Sequence, residues 1–381
     1  MSSRAKRVLN FTLIFGTLII VLVITFSGAN ITDTVKAIRG FPPLWLCACF
    51  VAYALGLLTE ALSLYFFLKR QGSPINYGYA IFVTIVGQYY SNITPGATGG
   101  QPMQVFYLRK RGIPIGIATS ALLVKMFCFQ FMLMTLGTLF WVTHREFVAY
   151  HIGGNMWILI LGYTFNAIVV AFLLLVAINK RLVRFITHFI IRILTKLKIC
   201  KNPDRTHLKW DVVVDSFHSS ISLLRKQPLD LLGQLLLGGA QTLLLMMITV
   251  FVYWGFNLRE LSVSELTTMG ILQYTSAGYT PLPGASGAQE GVFALFFGKI
   301  FPDHIRMVAL LIWRFFTYYL SLIVGAVTTI AYGVHERRKE SNIVREETDT
   351  ADEDGNEPDS AVRSAVGADN GTGMGRNSDS A

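Results

Sequence analysis

The chain has 381 residues, of which 52% are hydrophobic and only 15% are charged. This balance excludes an ordinary soluble domain and is typical of a polytopic membrane protein. The net charge of +10 is uneven, because residues 341–381 hold ten acidic side chains against three arginines. The basic surplus lies in loops beside apolar segments, where it sets orientation and attracts anionic lipid, so no nucleic-acid partner is expected.

The sequence carries no recognisable catalytic or metal-binding motif. Its four cysteines have neither zinc-ligand nor redox spacing, and its seven histidines are scattered. No nucleotide-binding loop or nucleophile–base pair is evident. We therefore expect no catalytic residues, no metal and no cofactor, and an intrinsic enzymatic activity is not expected.

The first two apolar runs, 8–28 and 42–68, are each long enough to cross a bilayer at about 1.5 Å per residue. The first run follows three cations near the amino terminus and is interpreted as a membrane anchor. A cleaved signal peptide is the alternative for this run.

A shorter apolar piece, 77–93, ends in a Pro/Gly-rich break, and the stretch after it, 103–108, is far too short to span. This pattern predicts a re-entrant helical hairpin that returns to the same face of the membrane. Non-helical backbone at such a depth is tolerated only where it is buried in protein or lines a wet cavity.

Two full spans follow at 114–142 and 155–179, and another covers 228–254. Between them, the segment 180–226 is basic and amphipathic, which predicts helices lying on the membrane surface as a cytoplasmic linker.

A second apolar piece, 263–279, leads into a second Pro/Gly break and resumes over 291–300, which predicts a second re-entrant hairpin. The last span is about 305–333. The chain then becomes polar and acidic, and disorder is expected after residue 341. We therefore divide the chain into a membrane domain, 1–335, and a disordered acidic cytoplasmic tail, 336–381.

The distribution of lysine and arginine among the loops predicts that both termini are cytoplasmic and that the protein is a multi-pass protein of the plasma membrane. This orientation is consistent only if the first hairpin enters from the cytoplasm and the second from outside. Units 42–142 and 228–333 then have the same order of elements and opposite orientation. The predicted fold is all-α, with about six full transmembrane helices and two re-entrant hairpins in an inverted-topology repeat. Such repeats place a transport site near the midplane.

The two breaks share a motif: residues 94–102 read TPGATGGQP and residues 280–290 read TPLPGASGAQE. Glycines permit close approach of a ligand or of an opposing backbone, and helix N-termini at a break attract anions. The alternative is that the glycines only let two hairpins pack tightly. The candidate substrate-binding residues of the breaks are Thr94, Pro95, Gly96, Gly99, Gly100, Gln101, Thr280, Pro283, Gly284, Ser286, Gly287, Gln289 and Glu290.

A lone cation follows each break within an apolar segment, Lys125 after the first and Arg314 after the second. A charge in hydrocarbon is costly and usually faces a partner or a cavity. Glu60 is a candidate ion partner of Lys125, and Glu290 is the obvious partner of Arg314. Either these pairs only fix helix packing, or both cations bind a lipid phosphate in turn as the site alternates.

The first motif followed by LRKRGI, and the second motif followed by an arginine in the last span, resemble the lysylphosphatidylglycerol synthase transmembrane-region family. The best-known setting of this family is the membrane half of the multiple peptide resistance factor. The likeness covers about residues 8–335, and no counterpart of the soluble domain that transfers lysine from tRNA is visible. The resemblance implies handling of phospholipids, notably aminoacylated phosphatidylglycerol, with resistance to cationic peptides as the outcome. The site residues that it implies are Pro95, Gly96, Gly99, Gly100, Gln101, Pro283, Gly284, Gly287, Glu290 and Arg314.

Three functions stay open. The first is a flippase-like transporter of an anionic or aminoacylated phospholipid, or of a lipid-linked precursor, that works by alternating access. The second is the membrane component of a phosphatidylglycerol lysyltransferase system, and the third is a membrane scaffold without transport. The expected partners are the phospholipid substrate, membrane lipids, and either a separate aminoacyltransferase or a glycosyltransferase.

Overall fold

The computed structural model describes residues 39–353 except 74, 197–202, 279 and 281, and within these ranges it contains helices and turns but no strand. Five helical segments are long and apolar enough to cross a membrane: Pro43–Arg70, Ile115–Thr143, Arg145–Ile178, Pro228–Gly255 and Asp303–Glu336. They confirm five of the predicted spans, while the sixth, 8–28, lies outside the described residues. The protein is therefore an all-α protein with several membrane-spanning helices.

The helices are numbered here in chain order. Their bounds are α1 Pro43–Arg70, α2 Tyr77–Ile93, α3 Gly100–Lys110, α4 Ile115–Thr143, α5 Arg145–Ile152, α6 Met156–Ile178, α7 Lys180–Lys196, α8 Pro203–Lys226, α9 Pro228–Gly255, α10 Val263–Ala277, α11 Ala288–Phe296, α12 Asp303–Arg314 and α13 Leu320–Glu353.

Prolines fix the starts of the long helices. Pro43 and Pro228 occupy the first turn of α1 and α9, and Pro114 and Pro302 stand directly before α4 and α12. A proline costs no hydrogen bond in the first helical turn, and its fixed φ is already helical. A proline in the interior would break the helix, so these four prolines determine the residue at which each apolar helix begins.

The spanning helices pack through small residues. Helix α1 packs along α9, which also contacts α4, and α10 contacts both α4 and α6. Gly238 of α9 lies against the backbone of Cys128 on α4, and Gly162 of α6 lies against the backbone of Thr275 and Ser276 on α10. In lipid there is no hydrophobic driving force between helices, so they associate mainly through close packing. Glycine permits this packing because it lets two helix backbones approach closely.

Two pairs of shorter helices double back at the Pro/Gly motifs. Helices α2 and α3 pack side by side, with the Tyr79 hydroxyl donating to the carbonyl of Tyr107 at 2.7 Å. Helices α10 and α11 also pack together, and Gln273 Nε2 donates to Gln289 Oε1 at 2.5 Å. The two helices on either side of each motif therefore lie against each other, and their re-entrant course through the membrane stays a prediction.

The segment 180–226 forms the helices α7 and α8, which pack against each other. Arg184 of α7 forms ion pairs with Asp211 and Asp215 of α8 at 3.5 and 2.9 Å. The opposite side of α7 is apolar and exposed, with Phe185 69% exposed. The amphipathic helices predicted for this segment are present, and their position on the membrane surface stays a prediction.

By its internal contacts the chain divides into one unit that ends at Gly325 and another that begins at Ala326. Helix α13 runs on to Glu353, whereas the sequence predicts disorder after residue 341. The reason for the difference is local, because residues 336–347 are rich in glutamate, lysine and arginine, which have high helix propensity. The part of the predicted tail from 354 to 381 lies outside the described residues.

Candidate functional site

The two Pro/Gly motifs share their backbone conformation over Pro–Gly–Ala and differ beyond it, since Gly99 has φ −83° and Gly287 has φ 84°. Pro95–Ala97 and Pro283–Ala285 each form a short 3₁₀ turn, in which Gly96 and Gly284 both have φ 59°. The following alanines, Ala97 and Ala285, have φ 56° and 50°. A left-handed alanine costs about 1–2 kcal/mol, and such strain is retained mainly at functional sites. The matching strain is therefore confined to the Pro–Gly–Ala turn of each motif.

The two turns lie in contact with each other, although the whole of segment 98–282 separates them in sequence. The second turn also packs on the π-helical segment Phe315–Tyr319, where a Cβ added at Gly284 would overlap the ring of Tyr318. A glycine is therefore required at this position both by the left-handed φ and by the lack of space.

A cavity of about 380 Å³ lies where the turns meet, and Gly96, Ala97, Gly284 and Ala285 all line it. The rest of its wall comes from α1, α2, α3, α4, α9, α10, α11, α12 and the start of α13, and from the segments that flank them. Its charged and polar lining residues are Tyr53, Glu60, Gln88, Ser91, Asn92, Gln101, Gln104, Lys125, Gln241, Tyr274, Thr280, Gln289, Arg314, Thr317, Tyr318 and Ser321.

Lys125 of α4 forms an ion pair with Glu60 of α1, with Nζ and Oε1 2.7 Å apart and the side chains 11% and 13% exposed. The second carboxylate oxygen of Glu60 accepts hydrogen bonds from Gln88 Nε2 at 2.9 Å and from Gln241 Nε2 at 3.1 Å. Glu60 is therefore held by one cation and two neutral amides, which come from α4, α2 and α9.

Arg314 is bound more completely. Its Nε lies 2.6 Å from Glu290 Oε1, and its terminal nitrogens donate to the carbonyl of Gly284 at 3.2 and 3.3 Å. The other oxygen of Glu290 accepts from the backbone N–H of Gly287 at 2.6 Å, at the start of α11. Only 4% of the Arg314 side chain is exposed. This pair therefore holds the second turn to α11 and α12.

Five of the residues predicted for the breaks line the cavity: Gly96, Gln101, Thr280, Gly284 and Gln289. Gln101 is held weakly there, since its amide contacts only the thioether of Met126, at 3.8 Å, among the described hydrogen bonds.

The other predicted residues of the breaks shape the turns and do not line the cavity. Thr94 Oγ1 accepts from the N–H of Gly99 at 2.8 Å, and Ser286 Oγ donates to the carbonyl of Pro283 at 2.8 Å. Gly100 lies against the side chain of Ser91. The turn-shaping set is Thr94, Pro95, Gly99, Gly100, Pro283, Ser286, Gly287 and Glu290.

The roles of Gln88 and Gln241, the amides that hold Glu60, are not predicted by the sequence. The one signal they offer is an amide in an otherwise apolar helix, which gives no indication of its partner. Within the described residues, no group of three or more histidine, cysteine, aspartate or glutamate side chains is placed to hold a metal ion.

A family model described as the lysylphosphatidylglycerol synthase TM region matches residues 9–325 of the chain. The chain belongs to this family. The match to the lysylphosphatidylglycerol synthase TM region includes both turns, both cations and every residue that lines the cavity.

Two curated proteins that the chain resembles are both described as UPF0104 membrane proteins. The protein of Archaeoglobus fulgidus is 20% identical over 322 residues, which are 81% of this chain and 93% of the relative. The protein of Methanothermobacter thermautotrophicus is 30% identical over 114 residues, which are 29% of this chain and 32% of the relative. Both descriptions agree with a membrane protein of the lysylphosphatidylglycerol synthase TM-region family.

Proposed function

We propose that this protein is a flippase-like transporter that moves an anionic or aminoacylated phospholipid, or a lipid-linked precursor, across the plasma membrane. The observation that carries the proposal is one cavity lined by both glycine turns and by both lone cations of the apolar segments. A lipid headgroup that crosses the bilayer needs polar groups at membrane depth, and broken helices are a common source of them.

The size of the cavity suits a headgroup. A volume of about 380 Å³ is at the lower end of the range for small-molecule sites, which is about 300–1,000 Å³. The headgroup occupies the cavity while the acyl chains remain in the lipid, so the protein need not enclose the whole molecule.

The route of access is alternating. The α2–α3 pair enters from the cytoplasm and the α10–α11 pair from outside, with both chain termini in the cytoplasm, so that the units 42–142 and 228–333 are inverted copies. The matched left-handed conformations of Ala97 and Ala285 support this symmetry, because equivalent strain at equivalent positions is expected of equivalent elements.

Lys125 is the residue that binds the lipid phosphate. Its described ion pair is with Glu60 alone, whereas Arg314 is bound to Glu290 and to the carbonyl of Gly284. An incoming phosphate therefore replaces only the Glu60 carboxylate at Lys125. At Arg314 it would replace the contacts with Glu290 and with the carbonyl of Gly284, and the second turn would lose its attachment. This favours one phosphate-binding cation over two that act in turn.

The test is lipid translocation by the purified full-length protein in phosphatidylcholine vesicles that contain a trace of fluorescent phosphatidylglycerol. Dithionite, which quenches only the outer leaflet, reports the rate. We expect faster translocation than in protein-free vesicles and a loss of about 10–100-fold in Lys125→Ala, since a charged hydrogen bond contributes about 1.5–3 kcal/mol. Arg145→Ala, which removes an 80% exposed side chain, is the matched control. Equal rates in Lys125→Ala and wild type would contradict the proposed role of this residue.

A second candidate function is the membrane part of a phosphatidylglycerol lysyltransferase system with a separate transferase. The description of the matching family as a synthase TM region favours it. Co-expression with a soluble lysyl transferase and mass spectrometry of the lipids would distinguish the two, because only this alternative makes lysylphosphatidylglycerol synthesis depend on the chain.

A further inference from the structure

Glu60 stands out among the charged groups of the cavity, because its cation is also the proposed phosphate-binding residue. Its two oxygens accept from Lys125 Nζ at 2.7 Å, from Gln88 Nε2 at 2.9 Å and from Gln241 Nε2 at 3.1 Å. Once Lys125 turns to a phosphate, only neutral donors from the two amides remain for this carboxylate.

We propose that Glu60 takes up a proton when an anionic headgroup binds to Lys125, so that each lipid crosses the membrane together with one proton. This inference rests on the proposed function. It adds a second transported species and an energy source, namely the proton gradient.

The electrostatic reason is the cost of an unpaired charge in a membrane. Removing the cation from a buried ion pair leaves an uncompensated charge, and such a group tends to be neutralised. The phosphate brings a further negative charge into the same cavity. Protonation of Glu60 removes the repulsion and leaves one cation facing one anion.

The step balances in charge and atoms. A proton from water on the open side binds one oxygen of Glu60, and the ion pair with Lys125 is exchanged for a pair between Lys125 and the phosphate. On the other side the phosphate leaves, Glu60 releases its proton to water, and the original ion pair forms again. One proton moves in the same direction as one singly charged headgroup.

The other groups that face Glu60 do not replace its cation. Gln88, Gln241 and the phenols of Tyr53 and Tyr274 are neutral donors from α1, α2, α9 and α10, all lining the same cavity. Arg314, the second cation of the lining, lies 2.6 Å from Glu290.

Glu290 is not an equivalent proton carrier. Its second oxygen accepts from the N–H of Gly287 at the start of α11, and its cation also donates to the carbonyl of Gly284, so opening this pair would release the second turn. The ion pair of Glu60 with Lys125 can therefore be exchanged, whereas the ion pair of Glu290 with Arg314 is structural.

The experiment follows the full-length protein in vesicles with a trapped pH dye, with fluorescent phosphatidylglycerol added to the outer leaflet. We expect about one proton to enter per lipid, and an external pH one unit below the internal pH to accelerate inward movement about three- to tenfold. Glu60→Gln abolishes proton entry, and any lipid movement that remains no longer responds to the gradient. Glu60→Asp, which keeps the carboxylate, retains the response. Glu146→Gln, at a 91% exposed side chain, is the control and behaves as wild type.

Lipid movement by the wild-type protein without proton entry, and at a rate independent of the gradient, would overturn the coupling while leaving the transport function intact. Coupling that persists in Glu60→Gln would overturn the role of this residue. No lipid movement by the wild-type protein would instead contradict the proposed function, and the coupling with it.

Discussion

Lys125 and Arg314 look equivalent in the sequence, because each is a single cation that follows a Pro/Gly motif. Their surroundings differ: Arg314 is bound to Glu290 and to the backbone of the second turn, and Lys125 is bound to Glu60 alone among the described ion pairs. Sequence spacing predicts that such cations need partners. It does not predict which pair can be opened, since that depends on the remaining hydrogen bonds of each carboxylate.

Gly284 gives the sharpest test at the residue scale. It has φ 59°, and a Cβ at this position would overlap the Tyr318 ring, so Gly284→Ala should lower both stability and lipid translocation. The strain of the left-handed conformation contributes about 1–2 kcal/mol, and displacement of the ring adds to it.

Gly291 on α11 is the matched control, because nothing lies within 4 Å of an added Cβ there and its φ is not positive. Gly291→Ala should keep or raise stability, since alanine is favoured over glycine in a helix by about 0.5–1 kcal/mol. Thermal unfolding of both variants in detergent is the measurement. A Gly284→Ala variant as stable as Gly291→Ala would contradict the described turn.

At the scale of elements, the apolar runs predicted the described spans to within a few residues because membrane thickness fixes their length. The last span is the exception. The sequence predicts one helix over 305–333, whereas the chain has α12, a π-helical segment at Phe315–Tyr319 and then α13. Within this segment the Tyr318 hydroxyl donates to the carbonyl of Asn92 at 3.4 Å. π-Helical turns are common at functional sites, but an aromatic sequence fits a regular helix equally well.

The α7–α8 pair offers a pH test at this scale. The pKa of His218 on α8 lies below its ordinary value of 6.5, mainly because of burial and secondly because of the charge of Lys180. Its Nε2 is buried without a hydrogen-bond partner in the described structure. Because the pKa of His218 is lowered in the folded state, the neutral imidazole contributes stability above about pH 6.5. This contribution is lost as the pH falls below that value.

We therefore expect the thermal stability of the wild-type protein to fall between about pH 7 and pH 5.5 by more than that of His218→Gln. The ion pairs of Asp215 with Lys180 and Arg184 lower the pKa of this aspartate from an ordinary value of 3.8, so they titrate below this window. The same loss of stability in His218→Gln would show that another group is responsible.

At the scale of the whole molecule, the repeated motif and the lone cations are visible in the sequence and indicate a polar site. The sequence does not show which helices bring them to one cavity. The repeat is visible because both copies need the same left-handed Gly–Ala backbone. Gln88 and Gln241 were missed, because their role arises only when α1, α2, α4 and α9 bring four side chains to one point. Tertiary contacts of this kind leave no spacing signature in a single sequence.

The central claim is that both turns belong to one cavity that opens to each side of the membrane in turn, and thiol accessibility at Gln101 tests it most directly. In a protein whose native cysteines are replaced, Gln101→Cys is labelled with a membrane-impermeant maleimide added to either side of sealed vesicles of one orientation. Glu146→Cys, at a 91% exposed side chain at the start of α5, is the control that reacts from one side only. The account predicts that Gln101→Cys reacts from both sides and that phosphatidylglycerol slows both reactions. Reaction from a single side under all conditions would contradict it.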